Sequence, residues 1–187
     1  IKIFDNPELL DMEIQKRAKE SDSALSRVIA TYDWEYSSTR KPMVQDHLVK
    51  YWEVLIGKWH KPWNRELESE LTRKEKRDIK GLAWAEQPKT INEVGSTFTI
   101  QGFDLNYAGV ILGPSVKYRD GKIIFDPSAS HNEKAVRNRT LSDGTKKKFG
   151  ETLIQHEVRV LMTRGVNGMY IYACDPELRA ALLAAAK

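Results

Sequence analysis

Apolar positions recur along the chain with two different periods. Leu10, Ile14 and Ala18 return at helical spacing behind Asn6-Pro7-Glu8, a start that supplies a cap, a proline at the first helical position and an acid in the first turn. Ile154, Val158, Leu161 and Met162 give Glu151 to Thr163 one core-facing side, and Asp175-Pro176-Glu177 opens a last helix whose Leu178, Leu182 and Leu183 face inward. Between the helices lie unbroken apolar runs of strand length: Arg27 to Tyr32, Val110 to Leu112 and Met169 to Cys174. Continuous runs belong to strands covered on both faces, and strands separated by helices belong to a parallel sheet. The pattern predicts an α/β fold with a mainly parallel sheet and helices on both faces. Val116 to Phe125 alternates about Asp120-Gly121 and predicts a β-hairpin insertion.

The stretch Val94 to Gly113, VGSTFTIQGFDLNYAGVILG, reads as a strand, a tight turn and a second strand. Its polar break, Gln101-Gly102, is the first candidate for chemistry. Gly102 lets the backbone approach a ligand closely, Gln101 brings an amide and Asp104 a carboxylate, a set suited to hydroxyls and phosphates. Taken as a dipeptide alone, Gln-Gly describes a surface turn equally well.

Other stretches carry weaker signals. Asp33-Trp34-Glu35 follows a strand, where open α/β sheets collect ligands, so Trp34 either stacks on a base or closes the core. From Met43 to Asn64, Tyr51, Trp52, Trp59 and Trp63 alternate with Lys50, Lys58, His60 and Lys61. Aromatic faces among cations suit single-stranded nucleic acid, and the same composition describes a half-buried hairpin. Glu66 to Lys80 reads as a solvated charged helix. Residues 131–150 are polar and basic, with Arg137, Arg139 and Lys146-Lys147-Lys148, and read as a mobile basic loop that either follows phosphates or is simply solvated.

Composition narrows the picture. A length of 187 residues favours a single domain, and 30 basic against 26 acidic side chains leave a net charge of +4, which permits nucleic-acid binding without demanding it. The single Cys174 rules out an internal disulfide and fits a cytoplasmic protein with a buried, reduced thiol. No run is long and apolar enough to span a bilayer, there is no signal-peptide layout, and the missing initiator Met reads as a piece of something longer. His47, His60, His131 and His156 have no zinc spacing, and no metal ligand is expected. Neither G-x-S-x-G nor the phosphate-cradling G-x-x-x-x-G-K-[ST] occurs.

The central stretch resembles motif V of superfamily 1 helicases, T-x-H-x-x-Q-G-x-E before an apolar strand. Ser96 stands at the Thr position, Phe98 at the His, Gln101 and Gly102 match, and Asp104 replaces the Glu. Thr163-Arg164-Gly165, at the end of an amphipathic helix, resembles motif VI. The longer words NEVGSTFTIQGFDLNYAGVILGP, YRDGKIIFDP and LMTRGVNGMYIYACDPEL resemble the Schlafen group 3 type DNA/RNA helicase domains, over roughly Arg27 to Leu183. The resemblance implies a three-layer RecA-like domain of the P-loop NTPase type, spanning 1–187 as the second, C-terminal motor domain of a longer protein. It implies Arg164 as a catalytic arginine finger, with Gln101, Gly102, Asp104 and Thr163 at a nucleotide. Ser96, Thr97 and Phe98 would meet nucleic acid, joined by Trp34, Trp59 and Trp63 from the aromatic segments. The partners implied are an N-terminal RecA-like domain of the same protein and DNA or RNA, single-stranded, with no membrane. ATP and Mg would be cofactors of the full-length protein and not of the isolated chain, which without a phosphate-cradling loop is expected to be inactive. Two rivals stay open: a single-strand-binding module without turnover, and a structural interaction domain. Arg164 has its own plain alternative, an Arg that complements a helix C-terminus with Gly165 as the stop.

Overall fold

Strands Lys2–Ile3, Gly165–Ala173, Leu105–Leu112, Ser26–Ala30 and Val94–Gly95 lie side by side in that order and pair in parallel throughout. The computed structural model describes residues 1–20, 24–44, 47–48, 50–140 and 142–186. The middle strand, Leu105–Leu112, is covered on both faces. On one face, Leu10 and Ile14 of helix Pro7–Glu20 join Val28, Ile111 and Tyr170. On the other, Ile154 and Leu161 of helix Gly150–Leu161 and Leu178 of helix Pro176–Ala185 join Ile29, Val110 and Ile171. The result is the three-layer α/β arrangement that the apolar runs imply, because alternate residues of each strand face opposite layers and both layers are apolar.

The caps stand where the sequence puts them. Asn6 Oδ1 accepts from Glu8 N at 2.7 Å and Asp175 Oδ1 from Leu178 N at 2.9 Å. The Val116–Arg119 and Lys122–Phe125 hairpin turns through Asp120 and Gly121, both with positive φ. The charged run becomes the short helices Glu66–Glu70 and Arg73–Asp78, neither of which buries a residue.

Residues 31–93 are a long excursion between the second strand in sequence and the edge strand Val94–Gly95. Within it, Glu53–Ile56 and Trp59–Pro62 form an antiparallel hairpin. Lys61 Nζ reaches Asp11 Oδ1 of the first helix at 2.7 Å and Ile91 O at 2.8 Å, both side chains being buried, while Trp59 Nε1 donates to Asp11 Oδ2 at 3.3 Å. That buried pair holds the hairpin against the sheet layer.

Two expectations change. The central stretch is not strand, turn, strand: a one-turn helix, Thr97–Ile100, stands between the strands. Ser96 and Thr99 form a reciprocal cap, with Phe98 N donating to Ser96 Oγ at 3.2 Å and Ser96 N to Thr99 Oγ1 at 2.7 Å, which outweighs the strand preference of the threonines. The stretch 131–150, read as a loop, contains a helical turn, Glu133–Val136, and a small hairpin pairing Arg139–Thr140 with Lys146–Lys147, Leu141 lying outside the described residues.

Gly109 lies where the first helix crosses the middle strand. A Cβ there would sit 2.7 Å from Leu10 Cδ2 and 2.8 Å from Ile14 Cγ1. Gly109→Ala is therefore expected to lower stability by about 1–3 kcal/mol through overpacking. Urea denaturation followed by circular dichroism measures it, and an unchanged midpoint would refute the close crossing.

Candidate functional site

The strand starts gather at one edge of the sheet, and there the two motif-like words meet. Ile100 to Phe103 form a tight turn closed by Phe103 N to Ile100 O at 3.0 Å. Gln101 at φ −55°, ψ 128° and Gly102 at φ 75° match a type II turn, whose third position needs a positive φ and so a glycine. Gln101, Gly102 and Asp104 are all exposed. Arg164 arrives from the end of helix Gly150–Leu161, and its backbone O accepts from Leu105 N at 2.8 Å where the two strands begin to pair. Its guanidinium lies over the turn: Nη1 is 3.1 Å from Asp104 Oδ1 and 3.3 Å from Phe103 O. Nε donates to Val160 O at 3.0 Å, and Nη2 to Thr163 Oγ1 at 3.3 Å. The Arg164 side chain is 21% exposed and that of Asp104 62%. Arg164 thus caps its own helix and clasps the turn at the same time.

The other expected residues lie at the opposite edge, where the strands end. Ser96 is fully buried, donating to Asn64 Oδ1 at 2.8 Å while it caps the short helix, so it acts inside the protein and does not touch a nucleic-acid strand. Trp63 is 0% exposed, packed against Trp34 and Tyr32, which removes it from any base-stacking surface. Trp34 and Trp59 are half-buried, with their indole N–H groups bound to Leu55 O and Asp11. Both pack against the core from its edge. Thr97 is half-buried, whereas Phe98 is 52% exposed and set edge-on to Tyr32 at 5.4 Å.

Residues 1–175 match the family described as Schlafen group 3, DNA/RNA helicase domain. The chain belongs to that family. It is also 35% identical over 178 residues to the uncharacterized protein YPL245W of Saccharomyces cerevisiae, an overlap covering 91% of this chain and 34% of that protein. The chain therefore spans about a third of the length of the relative it matches. No solved structure matches it.

The edge around Arg164 presents a carboxylate beside a guanidinium. An exposed carboxylate suits hydroxyls, and a guanidinium with a planar fork of donors suits phosphate. Among the described residues no group of three or more His, Cys, Asp or Glu could hold a metal ion. Nor is any helix among the described residues long and apolar enough to cross a membrane.

Sequence reasoning missed Glu157 and the role of Asp33. Glu157, from the helix that leads to Arg164, accepts at Oε1 from Tyr32 N at 2.9 Å and from Thr97 Oγ1 at 3.4 Å, while its Oε2 is buried without a partner. Asp33 Oδ2 accepts from Thr31 Oγ1 at 3.0 Å and Ser115 N at 2.8 Å, and its Oδ1 also has no partner. Burial pushes Asp33 above the ordinary carboxylate range and Glu157 up to about 7. A glutamate on an amphipathic helix is ordinarily a solvated residue, and only its one-turn offset toward Ile154 and Leu161 hinted otherwise.

A carboxyl raised on folding keeps its proton in the folded state after the unfolded chain has lost it. Stability therefore falls as pH rises from about 4.5 to about 7, and the loss is complete above that. Glu157→Gln keeps an oxygen for Tyr32 N and cannot ionise, so it is expected to flatten this slope and to stabilise the protein at pH 8 by on the order of 2–3 kcal/mol. Denaturation midpoints across that pH range check it; parallel profiles for the two proteins would contradict it.

Proposed function

We propose that the chain is the second RecA-like domain of an ATP-dependent nucleic-acid helicase or translocase, lending Arg164 to a triphosphate gripped by another lobe. One observation carries this reading. Arg164 and Asp104 come from separate elements, and their side chains converge within 3.1 Å on a single exposed turn at the edge of the sheet. Membership in a DNA/RNA helicase domain family supports it.

In this reading Gln101-Gly102 and Asp104 form the motif V turn, and Thr163-Arg164 belongs to motif VI. The nucleotide supplies the phosphoryl group that is transferred. Asp104 accepts from ribose hydroxyls, and Thr163, exposed beside Arg164, lies on the same side. Arg164 leaves Asp104 and Phe103 O for the terminal phosphate, where its fixed charge and forked donors offset the negative charge that spreads over the equatorial oxygens. The chain has no loop to cradle the β and γ phosphates, so turnover belongs to a longer protein that brings one.

The test uses such a longer protein. Arg164→Ala is expected to lower ATP turnover by about a thousandfold or more while leaving the fold intact. Arg164→Lys is expected to fail as well, because an ammonium cannot present two parallel donors. Asp104→Ala is expected to raise KM for ATP more than it lowers kcat. Turnover that survives Arg164→Ala ends the motor reading.

A further inference from the structure

Two segments of the 31–93 excursion line a hollow of about 210 Å³. Ser38, Thr39, Arg40 and Lys41 come from one segment, and Arg65 and Ser69 from the other. We infer that this hollow binds a phosphorylated serine or threonine side chain of a partner protein, with Arg40, Lys41 and Arg65 on the phosphate and the hydroxyls of Ser38 and Thr39 beside it. The inference goes beyond the function proposed above and makes no use of Arg164.

Arg65 is the residue that points to a ligand. It stands at φ 76°, ψ 20°, directly after Asn64 at φ 60°. Asparagine tolerates the left-handed region, and its amide is used there, donating to Tyr32 Oη at 3.3 Å and accepting from Ser96 Oγ at 2.8 Å. Arginine in that region is strained where glycine would be at ease. The strain gains the fold nothing, because the Arg65 side chain is exposed and no carboxylate among the described residues pairs with it. Lys41 is likewise exposed and without an ion pair among the described residues. Arg40 holds only Glu35, at 3.1 Å, in an exposed pair that a more negative group readily displaces. Glu66, the acid of the lining, is turned to Trp52 N at 3.2 Å.

Shape and charge select the ligand. The first segment is fixed from beneath, since Trp52 Nε1 donates to Ser37 O at 3.0 Å and to Arg40 O at 3.2 Å. Ser37 Oγ accepts from Thr39 N at 3.3 Å and Arg40 N at 3.1 Å, which leaves the side chains of Ser38 and Thr39 exposed. Three cations on one small hollow suit a phosphate monoester, which carries about −1.5 to −2 charges at neutral pH, better than a singly charged diester. A nucleic-acid strand spreads its charges along a track and brings bases that need rings to stack on. The ring in this lining, Tyr36, is half-buried. The hollow has room for one phosphate and the stem that carries it.

The experiment is anisotropy of labelled degenerate peptides with a fixed central phosphoserine or phosphothreonine, beside their unphosphorylated twins and oligo-dT, with the 187-residue chain. The phosphorylated peptides are expected to bind at least roughly tenfold more tightly than the twins, as charge-assisted hydrogen bonds to a phosphate require. Arg40→Ala and Lys41→Ala should each weaken that binding severalfold without moving the urea midpoint. Arg65→Gly carries the sharpest expectation: it relaxes the backbone and removes the guanidinium, so the midpoint should rise while affinity falls by about tenfold. Equal binding of phosphorylated and plain peptides overturns the proposal. So does wild-type affinity in Arg65→Gly, or a midpoint lowered by that change, which would make the residue a servant of the fold. Displacement of the phosphopeptide by inorganic phosphate at equal concentration, or tighter binding of oligo-dT that the same three variants abolish, also overturns it, the first leaving only a surface for free anions and the second a nucleic-acid contact.

Discussion

Parallel pairing of Leu105–Leu112 with a neighbour on each side forces the strand starts to one edge of the sheet and the strand ends to the other. Helices that return the chain in such a sheet end where strands begin. Helix Gly150–Leu161 therefore delivers its carbonyl-rich C-terminus to the starting edge, where the unpaired carbonyls favour a cation. Arg164 meets that requirement through Val160 O and, because strand Gly165–Ala173 pairs directly with Leu105–Leu112, it also meets the turn that precedes the neighbouring strand. The encounter of two sequence words about sixty residues apart follows from strand direction and register.

The clasp between Arg164 and the turn is weak by design of its surroundings. Asp104 is more than half exposed, and an ion pair in that setting stabilises by about 0–1 kcal/mol. The remaining guanidinium partners are two carbonyls and a hydroxyl, neutral acceptors weaker than a phosphate. Pairing with the neighbouring strand keeps the Arg164 backbone in place whatever its side chain does, since Leu105 N is bound to Arg164 O. A side chain anchored by its backbone and held by exchangeable partners is what the proposed transfer of Arg164 to a phosphate requires.

The layers and caps were legible in the sequence because they depend on local chemistry. Asn6 and Asp175 cap where a side-chain oxygen precedes an apolar period, and the continuous apolar runs could only be strands covered twice. The short helix Thr97–Ile100 was not legible, since two of its four residues are β-branched threonines and the reciprocal bonds of Ser96 and Thr99 decide the matter. The tryptophans misled for a related reason. Composition shows that Trp63 neighbours cations, but whether its ring faces water depends on the path of the 31–93 excursion, and that path presses it into the core. The hollow escaped notice because Arg40 and Arg65 lie on separate stretches of the same excursion, and only its path brings them together.

Strand direction also explains why the two edges are not independent. The short helix starts at Ser96 and ends in the Gln101-Gly102 turn, so Phe98 and Asp104 sit at opposite ends of one small rigid unit. Glu157 fastens that unit to a second connection: it holds Tyr32 N and Thr97 Oγ1 at the strand-end edge, and its own helix ends at Leu161, three residues before Arg164. A shift of Thr97 must either break the Glu157 contacts, leaving a second carboxylate oxygen buried without a partner, or carry the Arg164 helix with it.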